Sequence, residues 1–199
     1  MRIPTISGAV CAALALLSFS ARAEELGGVH NFHKVNDAVF RGAQPSEEGF
    51  QNLARLGVKT VIDLRRVTEH DTAAERRIVE GLGMRYVNIP MNGVVAPTDD
   101  QVSKALAILN NASSSPAFVH CKRGADRTGG VIACYRVQHD RWDNRKALRE
   151  AKGNGMSWMQ FGVKSYVIAY RPGAVTNAPP AGLAAAAAAL TPVPSGAPR

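Results

Sequence analysis

The chain has 199 residues, 46% of them hydrophobic, and its 24 Lys and Arg residues outnumber 16 Asp and Glu residues, which gives a formal net charge of +8. This length and apolar content suit one globular domain and exclude a chain that is disordered throughout. The positive charge suits an anionic substrate, whereas nucleic-acid binding is not expected because no basic stripe is interleaved with aromatic residues.

The N-terminal segment has the pattern of a secretory signal peptide. It has a basic residue, Arg2, directly after Met1, continues with an apolar stretch over residues 8–17 that is too short to span a bilayer, and reaches a small-x-small cleavage site at Ala23. We therefore expect residues 1–23 to be removed by cleavage after Ala23. The mature chain is then expected to be periplasmic or secreted, with no integral membrane segment.

Alternating helical and strand patterns fill the next part of the chain. The first half predicts, in order, a helix over residues 46–56, a buried strand over 58–64, a helix over 72–82 and a strand over 85–89. The second half predicts a helix over residues 98–111, a strand over 116–120, a helix from Gly129 onward, and helices over 144–152 and 159–170. Such alternation is typical of an α/β domain with a central, mainly parallel sheet flanked by helices.

Two of these helices begin with the spacing of a capping box, in which an N-cap hydroxyl and an acid or amide three residues later each accept a backbone N–H bond. Thr72 and Glu75 have this spacing at one helix, and Thr98 and Gln101 have it at the next. The two helices are therefore expected to start at these threonines.

The C-terminal residues differ in composition from the rest of the chain. Residues 172–199 are rich in alanine and proline, which predicts a disordered tail because such a segment cannot build a core. The folded domain is therefore expected to cover residues 24–171. Within it, Trp142 and Trp158 are expected to pack against the domain rather than to bind a ligand.

Residues 120–129, with the sequence HCKRGADRTG, lie between a predicted strand and a predicted helix. A turn from a strand into a helix directs backbone N–H groups and the positive end of the helix dipole into one concavity, so it predicts an anion site. Cys121 is the candidate nucleophile, because helix N-termini and nearby cations favour the reactive thiolate. Arg127 offers a planar fork that can hold two phosphate oxygens, a geometry that lysine cannot reproduce.

This loop resembles the signature loop of the cysteine-dependent phosphatases, the protein-tyrosine and dual-specificity phosphatase superfamily. The segments FRGAQPS at residues 40–46 and GVKTVIDLR at 57–65 resemble the first strands and helix of small atypical dual-specificity phosphatases, and the similarity extends over roughly residues 32–170. The resemblance implies a single domain with the cysteine-phosphatase fold. It also implies hydrolysis of phosphomonoesters through a phosphocysteine intermediate, with no cofactor.

The resemblance and the side-chain chemistry together suggest a role for each loop residue. The expected catalytic residues are Cys121, Asp126, Arg127 and Thr128. The Thr128 hydroxyl is expected to stabilise the thiolate when it leaves the phosphocysteine, and His120 is expected to hold the loop through hydrogen bonds to neighbouring backbone. The phosphate is expected to bind the segment formed by Lys122, Arg123, Gly124, Ala125, Asp126 and Arg127.

The proton donor for the leaving alcohol has more than one candidate. Many relatives keep an aspartate about thirty residues before the cysteine, where this chain has Asn92 and Gly93. Asp126 has the position of the general acid in the lipid-directed branch and in some bacterial triple-specificity phosphatases, and it also suits a structural role as an acceptor of backbone N–H bonds. Asp99 and Asp100 are the alternative general acids, and their place in a first helical turn also suits complementation of the helix dipole.

The substrate class and the chemistry also have alternatives. The paired cations Lys122 and Arg123 resemble atypical plant and fungal enzymes that act on inositol polyphosphates, while phosphotyrosine, phosphoserine, phosphothreonine and lipid phosphates stay open. The segment QPSEEGF at residues 44–50 also resembles rhodanese-like sulfurtransferases, whose loop cysteine carries a persulfide. His30 and His33 have the spacing of a metal pair without further ligands, so no metal site is predicted. The expected protein is a monomer whose partner is its phosphorylated substrate.

Overall fold

The computed structural model describes residues 26–173, so the predicted signal peptide and all but two residues of the predicted tail lie outside the described residues. Within 26–173, no helix is both long enough and apolar enough to cross a membrane. The elements in chain order are β1 (His33–Asn36), β2 (Val39–Ala43), α1 (Glu47–Arg55), β3 (Thr60–Asp63), α2 (Thr72–Gly81), β4 (Arg85–Asn88), α3 (Asp99–Leu109), a 3₁₀ turn (Ala112–Ser114), β5 (Ala117–Cys121), α4 (Asp126–Gln138), α5 (Asn144–Gly153) and α6 (Phe161–Ala169).

The strands form a five-stranded sheet in the order β1-β2-β5-β3-β4. The pairs β2 with β5, β5 with β3, and β3 with β4 are parallel, and β1 adds an antiparallel edge next to β2. This topology confirms the predicted α/β class with a central, mainly parallel sheet. Every residue of the central strand β5 is buried, as expected where helices cover both faces of a parallel sheet. The carboxyl end of β5 therefore lies where open α/β sheets place their ligands.

The two faces of the sheet bury separate apolar clusters, because side chains alternate along a strand. On β5, Phe118 belongs to a cluster with side chains of α1 and α2, whereas Val119 belongs to the cluster with side chains of α3 to α6. Helix α4 packs so centrally that every residue from 126 to 135 is buried. It begins three residues before the predicted start at Gly129, so the end of the HCKRGADRTG segment is its first turn.

The two predicted capping boxes have different outcomes. At α3, the Thr98 hydroxyl accepts from the Gln101 N–H at 3.3 Å and the Gln101 side chain accepts from the Thr98 N–H at 2.9 Å, which confirms the prediction. At α2, the N-cap is Asp71, whose carboxylate accepts two backbone N–H bonds at 2.9 Å, and Thr72 is the first helical residue. The prediction at Thr72 was therefore wrong by one position. An acidic N-cap replaces the hydroxyl, and Glu75 is left to point into the interior.

The two tryptophans differ in how far they pack against the domain. Trp142 packs beside the core under two cations, with the Arg136 guanidinium 4.6 Å and the Lys146 ammonium 3.8 Å from its ring centroid. Trp158 is 74% exposed, in the connection between α5 and α6. The expectation that Trp158 packs against the domain was therefore wrong.

Candidate active site

The segment between β5 and α4 forms a tight loop. Strand β5 ends at the buried Cys121 and α4 begins at Asp126. Gly124 has a φ of +69°, and a Cβ added there would lie only 2.3 Å from the carbonyl carbon of Gly42 on β2. Glycine is required at this position, because a side chain would meet both the strained backbone conformation and the neighbouring strand. The loop is thus curled against β2, with the N-terminus of α4 directed towards it.

The first turn of α4 presents two further side chains of the predicted site. Arg127 and Thr128 are both buried, and the Thr128 hydroxyl has no hydrogen-bond partner within residues 26–173. A buried hydroxyl without a partner costs free energy, so the Thr128 hydroxyl is available to donate a hydrogen bond to a neighbouring sulfur or a ligand. Burial alone would lower the pKa of Arg127, but the hydrogen bonds and charges of Glu69 and Cys121 raise it. Arg127 is therefore a permanent cation beside Cys121.

The carboxylate of Glu69 holds one edge of the Arg127 guanidinium. Nη1 donates to Oε1 at 2.7 Å and Nη2 donates to Oε2 at 3.0 Å, and Nη1 also lies 3.4 Å from the carbonyl oxygen of Met91. Nε takes no part in these contacts, so a second edge of the fork remains for an anion. Hydrogen bonds from Arg127 are the main cause that lowers the pKa of Glu69 to about 2, so its carboxylate is charged at neutral pH.

Sequence reasoning missed Glu69. Its only sequence signal is its place in the connection after β3, at the same edge of the sheet as the loop after β5. A single acidic residue in such a connection has no motif around it, and the partner, Arg127, is far away along the chain. The contact becomes visible only when the sheet order places β3 beside β5.

A second arginine supports the loop from the neighbouring strand β2. Arg41 on β2 is 1% exposed, and its Nη2 donates to the carbonyl oxygen of Gly124. Burial lowers the pKa of Arg41 to about 10, against the opposing charges of Glu150 and Cys121. The guanidinium is therefore still protonated at neutral pH. It satisfies one carbonyl of the loop and adds a positive charge that acts on Cys121.

A buried ionic network lies behind the loop. Arg65 donates to the two carboxylate oxygens of Asp63 at 2.9 and 3.0 Å, and it also donates to Glu75. Nε2 of His70 lies 2.7 Å from Asp63, and Nε2 of His120 lies 3.1 Å from Glu75. Burial alone would raise the pKa of Asp63, but hydrogen bonds from Arg65 and the charge of His120 lower it. The network links the strand that carries the loop to β3 and α2.

The contacts of His120 correct the expectation that this side chain binds neighbouring backbone. Its ring stacks on Phe118 at a centroid distance of 5.6 Å and its Nε2 faces the carboxylate of Glu75. Possible ligand atoms of Asp63, Glu75 and His120 come within 4.8 Å of one another, a spacing that could hold a metal ion. Arg65 already donates to both carboxylates, so a guanidinium provides the cation of this cluster.

Comparison with known proteins identifies the family of this chain. A family model described as a DSP-PTPase phosphatase fused to NAD+ kinase matches residues 19–166. The chain belongs to this DSP-PTPase family. The match agrees with the resemblance seen in the HCKRGADRTG segment.

Curated relatives of this DSP-PTPase chain are named as phosphatases. Inositol diphosphatase DSP2 of Oryza sativa subsp. japonica is 29% identical over 110 residues, which are 53% of this chain and 53% of that protein. Dual specificity protein phosphatase TpbA of Pseudomonas aeruginosa strain UCBPP-PA14 is 29% identical over 126 residues, which are 63% of this chain and 55% of that protein. The chain thus spans about half the length of these two relatives.

Solved structures show the same DSP-PTPase architecture. A crystal structure of P. aeruginosa TpbA is 28% identical with a TM-score of 0.62, and the match covers 71% of this chain and 86% of that chain. A second crystal structure of TpbA, in complex with pTyr, is 26% identical with a TM-score of 0.63, covering 76% and 91% of the two chains. The catalytic core of SIW14 from S. cerevisiae shares the fold, with 23% identity, a TM-score of 0.67 and coverage of 83% and 98%.

The remaining loop residues of this DSP-PTPase member show two kinds of environment. Lys122 and Arg123 are exposed, whereas Ala125 and Asp126 are buried. The Asp126 carboxylate accepts the backbone N–H of Ser157 at 2.8 Å and also pairs with Arg123. Both oxygens of Asp126 are therefore engaged, in contacts that connect the loop to the segment before α6.

The two alternative acids have contacts on the neighbouring helices. Asp99 accepts a hydrogen bond from the Tyr166 hydroxyl at 2.7 Å, and Asp100 pairs with Lys104 at 2.7 Å. Both lie in the first turn of α3, as the capping box predicts. The structure thus places Arg127 beside Cys121. The described side-chain contacts of Asp99 and Asp100, in contrast, are with residues of α6 and α3.

Proposed function

We propose that the protein is a cysteine-dependent phosphatase that hydrolyses phosphomonoesters through a phosphocysteine intermediate. The observation that carries the proposal is the position of Cys121 in the loop at the N-terminus of α4, beside the charged Arg127. The thiolate attacks phosphorus, the ester P–O bond breaks, and the leaving alkoxide takes a proton from an acid. Water then attacks the phosphocysteine, which releases inorganic phosphate and restores the thiolate.

The loop residues provide the other parts of this reaction. Backbone N–H groups and the free edge of the Arg127 fork bind the phosphoryl oxygens as negative charge develops on them. The buried Thr128 hydroxyl donates to the sulfur when the phosphocysteine breaks down. Arg41 and Gly124 keep the loop in the shape that these contacts need.

The decisive test of the reaction class is to follow phosphate release and sulfur transfer in parallel. We expect hydrolysis of p-nitrophenyl phosphate in the presence of EDTA, inhibition by vanadate, and a phosphorylated Cys121 peptide in quenched turnover mixtures. Sulfur transfer from thiosulfate to cyanide, without phosphate release, would support the sulfurtransferase alternative instead. That alternative is not favoured, because the relatives named above are phosphatases.

Candidate substrates come from these relatives. One relative is named an inositol diphosphatase and another was solved in complex with pTyr, so inositol phosphates and phosphotyrosine are the first substrates to test. The exposed cations Lys122 and Arg123 at the mouth of the loop suit a substrate that carries more than one negative charge. A panel of phosphopeptides and inositol phosphates, compared by kcat/KM, ranks these classes.

We also propose Asp126 as the general acid. Its carboxyl group belongs to the loop itself, and release from Arg123 and Ser157 would leave it next to the leaving oxygen. A general acid matters most when the leaving alkoxide is a strong base, because such a group departs slowly without a proton. Asp126→Asn is therefore expected to lower kcat/KM much more with phenyl phosphate than with p-nitrophenyl phosphate. An equal loss with both substrates, or this pattern in Asp99→Asn or Asp100→Asn instead, would contradict the assignment.

Glu69 is proposed as a positioning residue for Arg127. Glu69→Gln keeps the shape of the side chain and removes its charge, so the guanidinium loses its anchor while the anion site loses a repelling carboxylate. The expected result is a fall in kcat of about tenfold with no rise in KM. Steady-state kinetics with p-nitrophenyl phosphate separate the two constants. An increase in KM at constant kcat would show that Glu69 acts on ground-state binding instead.

The same variant has an expected pH signature in stability. The pKa of Glu69 falls from an ordinary value of 4.5 to about 2 in the folded protein. Its contact with Arg127 therefore stabilises the fold fully above pH 4.5, and this contribution is lost as the pH falls towards 2. The difference in Tm between the parent protein and Glu69→Gln should shrink over that interval, as measured by thermal unfolding at a series of pH values.

Export is a further proposal, supported by the N-terminal sequence pattern. We propose that residues 1–23 are a signal peptide and that the mature enzyme is periplasmic or secreted. Mass spectrometry of the protein recovered from a periplasmic extract or from the medium should give Glu24 as the first residue. Recovery of the uncleaved chain from the cytoplasmic fraction alone would contradict this.

A further inference from the structure

Two loops beside the candidate active site expose large apolar side chains. We call this set the apolar rim. One of the loops precedes α3, and the other connects α5 to α6 and is extended in the apolar rim by the first residue of α6. Its members and their exposed fractions are Val94 (77%), Val95 (55%), Trp158 (74%), Met159 (62%) and Phe161 (65%). Single exposed apolar residues are ordinary, but a contiguous group of this kind marks an interaction surface.

The two loops of the apolar rim pack on each other. The Gln160 side chain donates to the carbonyl oxygen of Gly93 at 2.7 Å, and a Cβ added at Gly162 would lie 2.7 Å from the backbone nitrogen of Ala96. The ring centroids of Trp158 and Phe161 are 6.4 Å apart. The apolar rim is therefore one surface, formed by two segments that are distant in sequence.

This surface borders the loop between β5 and α4 that carries Cys121. A Cβ added at Gly93 would lie 3.7 Å from Cζ of Arg127. On the other side, the backbone N–H of Ser157, next to Trp158, donates to the carboxylate of Asp126 at 2.8 Å. Whatever binds the apolar rim therefore lies at the entrance to the loop that holds Cys121.

Cations accompany the apolar side chains. Lys122 and Arg123 are exposed within the loop. The ammonium group of Lys164 donates to the carbonyl oxygen of Trp158 at 2.6 Å and lies 5.8 Å from the ring centroid of Phe161. Aromatic and aliphatic side chains next to lysine and arginine are the combination that binds the boundary between acyl chains and anionic headgroups.

We propose that the apolar rim docks on an anionic lipid surface, and that the site acts on phosphate monoesters carried by lipids in that surface. This inference rests on the proposed phosphatase function. With the rim inserted among the acyl chains, the loop faces the headgroup region, where Arg127 can bind a phosphate. Lys122, Arg123 and Lys164 then lie near the other negative charges of the surface.

The shape of the rim favours a lipid surface over a peptide. A peptide anchors its side chains in pockets, whereas a bilayer accepts protruding side chains without any pocket. The cavity lined by Val95, Pro97, Val163 and Arg127 has a volume of about 10 Å³, which is room for about one water molecule. The side chains of Val94 and Trp158, in contrast, are among the most exposed apolar groups in the described part of the chain.

The test compares bilayer and soluble substrates. The mature protein, which starts at Glu24, is mixed with phosphatidylcholine vesicles, with or without phosphatidylglycerol, and co-sedimentation is measured. Phosphate release is then followed from phosphatidic acid in the anionic vesicles and from p-nitrophenyl phosphate in solution. We expect the protein to sediment with the anionic vesicles. In the double variant Trp158→Ser/Phe161→Ser, the rate with phosphatidic acid in vesicles, divided by the rate with soluble p-nitrophenyl phosphate, is expected to fall about tenfold.

Leu56→Ser provides the matched control. Leu56 is 41% exposed at the C-terminal end of α1, just before β3 begins, so it lies at the opposite edge of the sheet from the loop. This control should change neither vesicle binding nor the ratio of rates. A similar fall in Leu56→Ser would show that the ratio responds to any loss of surface apolar area.

The remaining outcomes separate the inference from the proposed function. Hydrolysis of p-nitrophenyl phosphate without vesicle binding overturns the lipid surface and leaves the phosphatase function standing. Vesicle binding without any phosphate release overturns the phosphatase function and leaves only the docking. If Trp158→Ser/Phe161→Ser instead lowers the rate with a phosphotyrosine peptide and leaves the vesicle rate unchanged, the apolar rim is a peptide surface and the inference is wrong.

Discussion

Cys121→Ser is expected to abolish hydrolysis of p-nitrophenyl phosphate, because the serine hydroxyl does not ionise in the range where a thiol does and is a far weaker nucleophile. The variant should still bind substrate, since the backbone N–H groups, Arg127 and Thr128 remain in place. The measurement combines steady-state turnover with equilibrium binding of a phosphorylated ligand. Loss of turnover with retained binding is the expected combination.

Cys134→Ala is the control for this prediction. Cys134 lies on α4 and is fully buried, and burial together with the charge of Asp99 raises the pKa of its thiol, so it is not a nucleophile. Its replacement should leave kcat unchanged apart from a modest effect of packing on stability. Turnover that persists in Cys121→Ser, or that disappears in Cys134→Ala while the fold is intact, would refute the proposed role of Cys121.

Arg65→Met is expected to have the largest effect on stability. Asp63 and Glu75 are buried, and Arg65 is the cation that donates to both of them. Removal of the guanidinium leaves two buried carboxylates without this partner, which should lower the free energy of unfolding by about 3–5 kcal/mol. Urea unfolding followed by circular dichroism measures the change.

Acidic pH should reduce the difference in the free energy of unfolding between Arg65→Met and the parent protein. Arg65 and His120 hold the pKa of Asp63 below its ordinary value despite burial, so the parent loses this contribution as the pH falls. In the variant, protonation removes the buried charge and recovers part of the stability. Arg55→Met, at an exposed arginine of α1 that contacts Asn52, should change stability by less than about 0.5 kcal/mol at every pH. An equal loss in both variants would contradict the role of the buried network.

The features that the sequence predicts correctly depend on neighbouring residues. The alternation of strands and helices, the capping box at Thr98 and the loop from His120 to Gly129 are each encoded within a short segment. A strand followed by a glycine-containing turn and a helix already implies the anion site. The fold class and the position of Cys121 could therefore be predicted without the structure.

The features that sequence reasoning missed depend on contacts between distant segments. Glu69 acts on Arg127 from another connection, and Arg65, Glu75 and His120 meet only when β3, α2 and β5 are placed side by side. The error at Trp158 has a related cause. A tryptophan is ordinarily packed in a core, so its exposure in this chain depends on the loop that carries it, and no periodic pattern describes that loop.

The contact between Gly124 and Gly42 limits how this loop could be transferred to another protein. The two backbones approach so closely that an added Cβ at Gly124 would overlap the carbonyl group of Gly42, and one at Gly42 would lie 2.8 Å from a methyl group of Val29. The loop thus needs its own glycine at position 124, and it fits only beside a strand whose backbone lies this close. A graft of HCKRGADRTG onto a different α/β scaffold should therefore fail if the glycine is replaced by a residue with a side chain.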